Sequence, residues 1–396
     1  MSEYQYYEFV AVDRPLTAGQ QGEVRALSTR ARITASSFVN TYEWGDFKGD
    51  PHALMERYYD AFLYLANWGT RRVMLRLPAG LLDLDTAAAY CVGDSARAWA
   101  THEHVILDLS SEDEDADWEY DGEGWLASIV PARTELAAGD TRLLYLAWLL
   151  CVQAREVDED EGEPPVPAGL GELSGPLRSL ADFLRLDQDL LAVAAEASGT
   201  LLEKAPSPLA LARWVKRLPE EDKDAALIGL LRGDANAGTE LLRRFRGETG
   251  TGPAGVAGGR TVGQLLAAAE QRWAARQRQA EQRAAAEQAR REQAAAAARE
   301  RRLQALAAQG EQVWQQIAAM IDTKKPKEYD AAVTLLADLK ALAERDGQGR
   351  RSPGGSGSFE WSTRASPACS TGSTAPDSAD DRPHAYGAVA VKPSWV

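Results

Sequence analysis

Residues 261–309 constrain this chain more than any other stretch. They are built almost wholly from Ala, Gln, Glu and Arg, and no proline interrupts them. These residue types keep most of their side-chain freedom in a helix, and the segment has little else it can form. Arg283–Glu287 and Glu287–Arg291 stand four apart and add charge pairs along the helix surface. An apolar seam is what the segment lacks. Leu266, Trp273 and Ala280 recur every seven residues, but the next step of the series lands on Glu287. The heptad therefore fails. The expectation is a long, solvent-exposed helix over 261–310, coiled-coil-like in length and composition, with nine Arg against five Glu between 270 and 302.

The parts on either side divide by composition. Residues 4–12 are β-forming and apolar on both faces, as in a central strand. Thr17 to Thr29 has helical character and Ser36 to Trp44 is β-like. Asp50-Pro51 opens a helix, with Asp50 as cap and Pro51 at the first position, and the apolar pattern carries that helix to about Trp68. In 72–77, Val73, Leu75 and Leu77 alternate with Arg72, Met74 and Arg76. Ala96–Thr101 and His104–Leu109 read as a hairpin, and 140–154 as a buried helix. Strands and helices interleave irregularly, which predicts an α+β head over 1–156 rather than a doubly wound sheet. An acidic, proline-rich stretch, 157–171, reads as a linker. Short Leu-rich helices fill 172–247, and 248–260 is a Gly-rich linker. A helical hairpin comes after the long helix over 311–346, with Val313, Trp314, Ile317 and Ile321 on one arm and Tyr329, Val333, Leu336 and Leu339 on the other.

From Gly347 to Val396 the composition turns to Ser, Gly, Pro and Thr and predicts a disordered tail. The break is abrupt and lacks capping residues, and an out-of-frame ending would look the same. If the ending is out of frame, the hairpin lacks a packing partner and leaves Trp314, Ile317 or Leu336 exposed.

Charge and cysteine usage narrow the functional classes. Residues 1–160 carry 13 Lys and Arg against 28 Asp and Glu, so that segment alone carries the whole net charge of −15. An acidic head repels phosphate backbones and argues against nucleic acid as its partner. The run Asp108 to Glu123, nine carboxylates with no base, reads as a solvated loop. The N-terminus has no apolar run, and Leu143 to Val152 is too short to span a bilayer, so no signal peptide and no membrane partner are expected. Cys91, Cys151 and Cys369 share no close spacing, which fits a reducing, cytoplasmic location and neither a disulfide framework nor a CxxC metal site.

The strings YYEFVAVDRPL (6–16), LSTRARIT (27–34), WGDFKGDP (44–51) and DAFLYLANWGTRRVMLRLP (60–78) resemble an uncharacterised family of bacterial proteins. The resemblance continues through GEGWLASIVP (122–131) and PPVPAGLGELS (164–174) into the helical rear, to about residue 346. It implies a shared folding unit, and it brings no catalytic residue that could be carried over.

No GxSxG, HExxH, GxxxxGK[ST] or strand-linked GxGxxG motif is present, so no catalytic residue, cofactor or metal ligand is assigned. The candidate interaction site is the WGDFKGDP loop with its neighbour: Trp44, Asp46, Phe47, Lys48 and Trp68. Aromatic faces beside paired charge suit recognition. A β-to-α connection with inward aromatics and Asp50 as cap explains the same residues. His102 and His104 could share a metal, or simply occupy a hairpin tip. Cys91 comes after an apolar run and reads as a packed thiol. The leading expectation is a cytoplasmic protein-interaction or adaptor protein. The alternatives are an enzyme with its site at the WGDFKGDP loop, and nucleic-acid association through the basic helix 272–302.

Overall fold

The computed structural model describes residues 4–113, 122–200, 207–234, 236–249, 256–345 and 347. The chain forms two compact units, Met1–Gln288 and a second beginning at Ala289. The expected tail lies outside the described residues, apart from Gly347.

The first unit is organised by one antiparallel sheet. Its elements begin with β1 (Gln5–Val10), α1 (Ala18–Leu27), β2 (Arg32–Ile33), β3 (Ser37–Tyr42), α2 (Pro51–Arg57), β4 (Ala61–Ala66) and β5 (Arg71–Pro78). Then come α3 (Leu84–Ala88), β6 (Ala96–Ala100), β7 (His104–Ser111), α4 (Trp125–Ala137) and α5 (Arg142–Gln153). The strand order is β2-β3-β1-β4-β5-β7-β6, and every neighbouring pair is antiparallel.

The alternation of side chains along each strand sorts the core into two layers. On one face Tyr7, Phe9, Phe38, Phe62, Met74 and Ile106 meet Val24 of α1 and Leu54 and Met55 of α2. On the other, Leu63, Leu65, Val73, Leu75, Leu107 and Leu109 meet α4 and α5. Helix α1 starts at a reciprocal cap, with Thr17 and Gln20 each bonding the other's backbone N–H.

One sequence expectation fails here. The helix opened by Asp50 and Pro51 ends at Arg57, and Ala61–Ala66 is a strand. Residues 61–66, AFLYLA, are apolar at nearly every position because β4 lies inside the sheet between β1 and β5, with both faces covered. A run buried on two sides carries no period that separates strand from helix. The sequence reading also missed α4.

Helices α6 (Gly175–Phe183) and α7 (Gln188–Glu196) share the second core layer, through Leu177, Leu180, Phe183, Leu190 and Val193. Val157, Val166 and Leu170, in the acidic and proline-rich stretch, are buried in that same layer. Buried Glu163 accepts from Arg260 Nε at 2.9 Å and Nη2 at 2.6 Å, and Val166 pairs with Val256. Helices α8 (Pro208–Arg217), α9 (Glu220–Leu231) and α10 (Ala237–Thr249) surround a small core of Trp214, Leu218 and Phe245. Helix α11 (Val262–Gln309) begins in the main core, where Val262 and Leu265 are fully buried. It carries the chain into the second unit. There α12 (Glu311–Asp322) and α13 (Pro326–Arg345) pack with its C-terminal turns around Leu306, Val313, Ile317 and Ala332.

A buried ionic network closes one end of the sheet. The Asp60 carboxylate is 1% exposed. It accepts from the backbone N–H groups of Val12 and Asp13 at 2.7 and 2.9 Å, and from Arg76 Nε and Nη2 at 3.1 and 2.7 Å. Arg76 also donates to the carbonyls of Met55 and Glu56. Arg133 of α4 donates to the Arg76 carbonyl and pairs with Asp13. Asp60→Ala would strand the Arg76 guanidinium in the interior, at a cost of about 3–5 kcal/mol. Urea denaturation of wild type and variant measures this, and a loss below about 1 kcal/mol would contradict the role given to the pair.

Candidate functional site

The WGDFKGDP loop connects β3 to α2, and a single buried amide fixes its position. Gln5 lies at the start of β1, in register with Tyr42 of β3 and Ala66 of β4. Its Oε1 accepts from Tyr7 Oη at 2.7 Å and Tyr64 Oη at 3.0 Å. Its Nε2 donates to the Gly45 carbonyl at 3.2 Å and to Asp46 Oδ1 at 2.8 Å. The amide thereby makes every hydrogen bond open to it. Asp46 is an anchor to the sheet.

Phe47 turns inward. It is buried with its ring centroid 5.4 Å from those of Tyr7 and Phe38 and 6.3 Å from that of Phe9. The ring lies so close to Gly49 that a β-carbon there would stand 2.4 Å from Phe47 Cζ, so the loop needs glycine at that position. Asp50 caps α2 by accepting from the His52 N–H at 2.9 Å. Gly45 has φ +77°, in the left-handed region.

The inner side of the loop is therefore filled; Asp46, though exposed, is tied to Gln5, and Trp44, Lys48 and Trp68 are the other candidates at the surface. Trp44 is 67% exposed, with the Arg30 guanidinium 4.6 Å above its ring. Lys48 is exposed. Trp68, 43% exposed, sits in the turn from β4 to β5. The register places Trp44 and Trp68 beyond the same end of the sheet, after the two strands that flank β1.

A second polar group lies on the face that carries α2, and sequence reasoning missed it. Asp108 of β7 accepts from Arg72 Nε and Nη2 at 2.7 and 2.6 Å. Arg72 Nη2 also lies 2.8 Å from His52 Nε2, and the His52 ring packs at 5.2 Å on Trp99, whose Nε1 donates to Glu56 at 3.0 Å. With Nε2 receiving from an arginine, the His52 proton belongs on Nδ1, 3.5 Å from Asp50. The alternation of Arg72 with Val73 set the arginine on the face opposite the aliphatic residues, but nothing local paired it with Asp108 or His52.

The remaining sequence candidates are dispersed. His102 is exposed and His104 half-buried, and burial beside Arg76 lowers the His104 pKa. Among the described residues no group of three His, Cys, Asp or Glu could hold a metal ion. Burial pushes the Cys91 thiol up to about 12 and the Cys151 thiol up to about 11, so both are protonated, packed groups. Cys369 lies outside the described residues, as does 114–121 of the acid run. In the basic helix, Arg276 is bound to Asp189 at 2.7 Å and Arg302 to Asp338 at 2.6 Å, so part of its charge is already neutralised. A cavity of about 260 Å³ lies among Leu81, Leu82, Leu136, Arg243 and Arg246, and Arg246 is held there by the Ala138 carbonyl. No helix among the described residues is long and apolar enough to cross a membrane.

On the opposite face of β1, Tyr6 Oη donates to Glu8 at 3.0 Å. Burial, the largest influence, raises the Glu8 pKa, and the Glu123 charge adds to it, against the Tyr6 hydrogen bond and Arg32. No protein-family model, no curated protein and no solved structure matches the chain.

Two measurements check this geometry. Gln5→Leu should cost about 1–3 kcal/mol, because Tyr7, Tyr64 and Asp46 lose a shared buried partner. A neutral result in chemical denaturation would mean the loop is not anchored this way. For Glu8 the raised pKa makes the protonated form the one the fold prefers. Its contribution is complete below the ordinary value of 4.5 and is lost as pH rises through the folded value. Glu8→Gln should therefore gain stability relative to wild type as pH rises above the ordinary carboxylate value. A difference independent of pH would contradict the burial argument.

Proposed function

We propose that this is a protein-interaction protein whose head engages its partner through the sheet end bearing Trp44, Lys48 and Trp68. The observation that carries the reading is the contrast within one loop. Phe47 fills the space that a substrate cleft would need, while Trp44 stands exposed on backbone that Gln5 holds rigid. A large, pre-organised aromatic beside a cation is the usual anchor of a protein interface, since little freedom is lost when it is covered.

Helix α9 supports the same reading. Leu227, Ile228, Leu230 and Leu231 are all exposed, Leu231 at 86%. An isolated exposed leucine is ordinary, but four on two turns of one helix form a patch that a partner can cover. The location this reading implies is the cytoplasm.

The test compares affinity capture by the full chain with capture by Trp44→Ala and by Leu231→Asp, using extracts of the source organism. Each variant is expected to keep the wild-type melting temperature and to lose at least about tenfold of a specific partner, matching the 1–2 kcal/mol of an interface anchor. Identical captured sets for all three chains would remove the proposal. Turnover of a small molecule that depends on Lys48 or Asp46 would replace it with the enzyme reading.

A further inference from the structure

The hairpin of α12 and α13 has two apolar faces, and among the described residues only one is covered. Val313 and Ile317 of α12 and Ala332 of α13 are buried, with Leu335 and Leu339 packed against them. Trp314, Ile321, Tyr329, Val333 and Leu336 are between 38 and 56% exposed. The two helices are joined by residues 323–325 alone, which makes them antiparallel neighbours.

Their geometry shows where the unused residues fall. At about 100° per residue, Trp314 and Ile321 lie about 80–100° around α12 from Val313. In α13, Tyr329, Val333 and Leu336 lie about 40–100° around from Ala332, in the same rotational sense. Because the helices run in opposite directions, equal rotations bring both stripes to one side of the hairpin. The result is a continuous two-helix face, the shape on which a third helix packs in a bundle.

The sequence beyond α13 does not offer that helix as it is read. Residues 359–377, FEWSTRASPACSTGSTAPD, have no apolar stripe at helical spacing. The codons behind them allow another reading. Arg outnumbers Lys by 35 to 9, the mark of a GC-rich coding sequence, which favours G or C at third positions. Each shifted codon is taken as the third base of one codon joined to the first two of the next. The Phe359 and Glu360 codons then give Arg, and the Glu360 and Trp361 codons give Val. With G or C at third positions and with open Ser codons, one permitted translation is Arg-Val-Glu-His-Ala-Arg-Glu-Pro-Arg-Leu-Leu-Asp-Arg-Leu-Asp-Arg-Ala-Gly. It contains Leu-Leu-x-x-Leu, charges of both signs, a proline able to start a helix and a glycine able to end it.

We propose that the exposed face of the α12–α13 hairpin is the seat of one more amphipathic helix, and that this helix is encoded by the bases of residues 359–377 in the neighbouring frame. The two supports are independent, since the exposed face belongs to residues 311–345 and the codon reading to residues 359–377. The frame offset requires one base to be missing, or two to be extra, between the codons for Asp346 and Phe359.

Resequencing the gene from source DNA, with the intact mass of the native protein, tests the encoding. One additional base in that interval, or two fewer, and a mass matching the shifted ending are expected. A single frame and a mass equal to the present chain would overturn the proposal. Amide hydrogen exchange on the full chain, as it stands and with one base inserted, tests the seat. Restoring the frame should slow exchange across α12 and α13 at least tenfold, and Leu336→Asp should abolish that gain while leaving the unrestored chain unchanged. Equal exchange in both chains would overturn the docking whatever the gene shows.

Discussion

The buried carboxylate of Asp60 is the point on which the head depends. It sits where α2 has ended and β4 is about to begin, and it receives the start of the β1–α1 connection and the guanidinium of β5 together. An interior carboxylate is tolerable only when such donors surround it, and here backbone and side chain share that work. The arrangement is all or nothing. Arg76 holds the carbonyls of α2, and Arg133 holds Arg76 and Asp13, so each charge is the reason the next can be buried. The ends of β1, β5, α2 and α4 are thereby fixed, and with them the sheet that carries both aromatic and aliphatic core layers.

Much of this was legible in the residues. Val73, Leu75 and Leu77 alternate with Arg72, Met74 and Arg76 because β5 separates two different environments, and that difference is written in the side chains. Asp50-Pro51 announced a helix start by local chemistry alone. The sequence was silent where the cause is distant. Nothing local in residues 57–61 says that a helix stops there, because the stop comes from β4 entering the middle of a sheet. The acids and prolines of 157–171 read as linker by composition, while Val157, Val166 and Leu170 belong to the core and Glu163 finds Arg260 far along the chain.

The candidate site divides in the same way. Sequence singled out Trp44, Asp46, Phe47, Lys48 and Trp68 as one group, because aromatics and charges adjoin. It could not tell which side chains turn inward, since that depends on Gln5, some forty residues earlier. The Arg72–Asp108–His52 group was illegible for the same reason: its members come from β5, β7 and α2, and only the sheet register brings them together.

The pairing of Val166 with Val256 has a topological meaning. Gly169 N–H also bonds the Gly199 carbonyl at 2.8 Å, so the points where the chain leaves this strip and returns to it are only a few residues apart. The described residues from 207 to 249, with α8, α9 and α10, form an excursion from a core that joins its own edges without them. Such a segment is a cassette. It can be lengthened, shortened or exchanged at the cost of its own small core and the α10 contacts with the head, while the path from Glu163 through Arg260 into α11 stays intact.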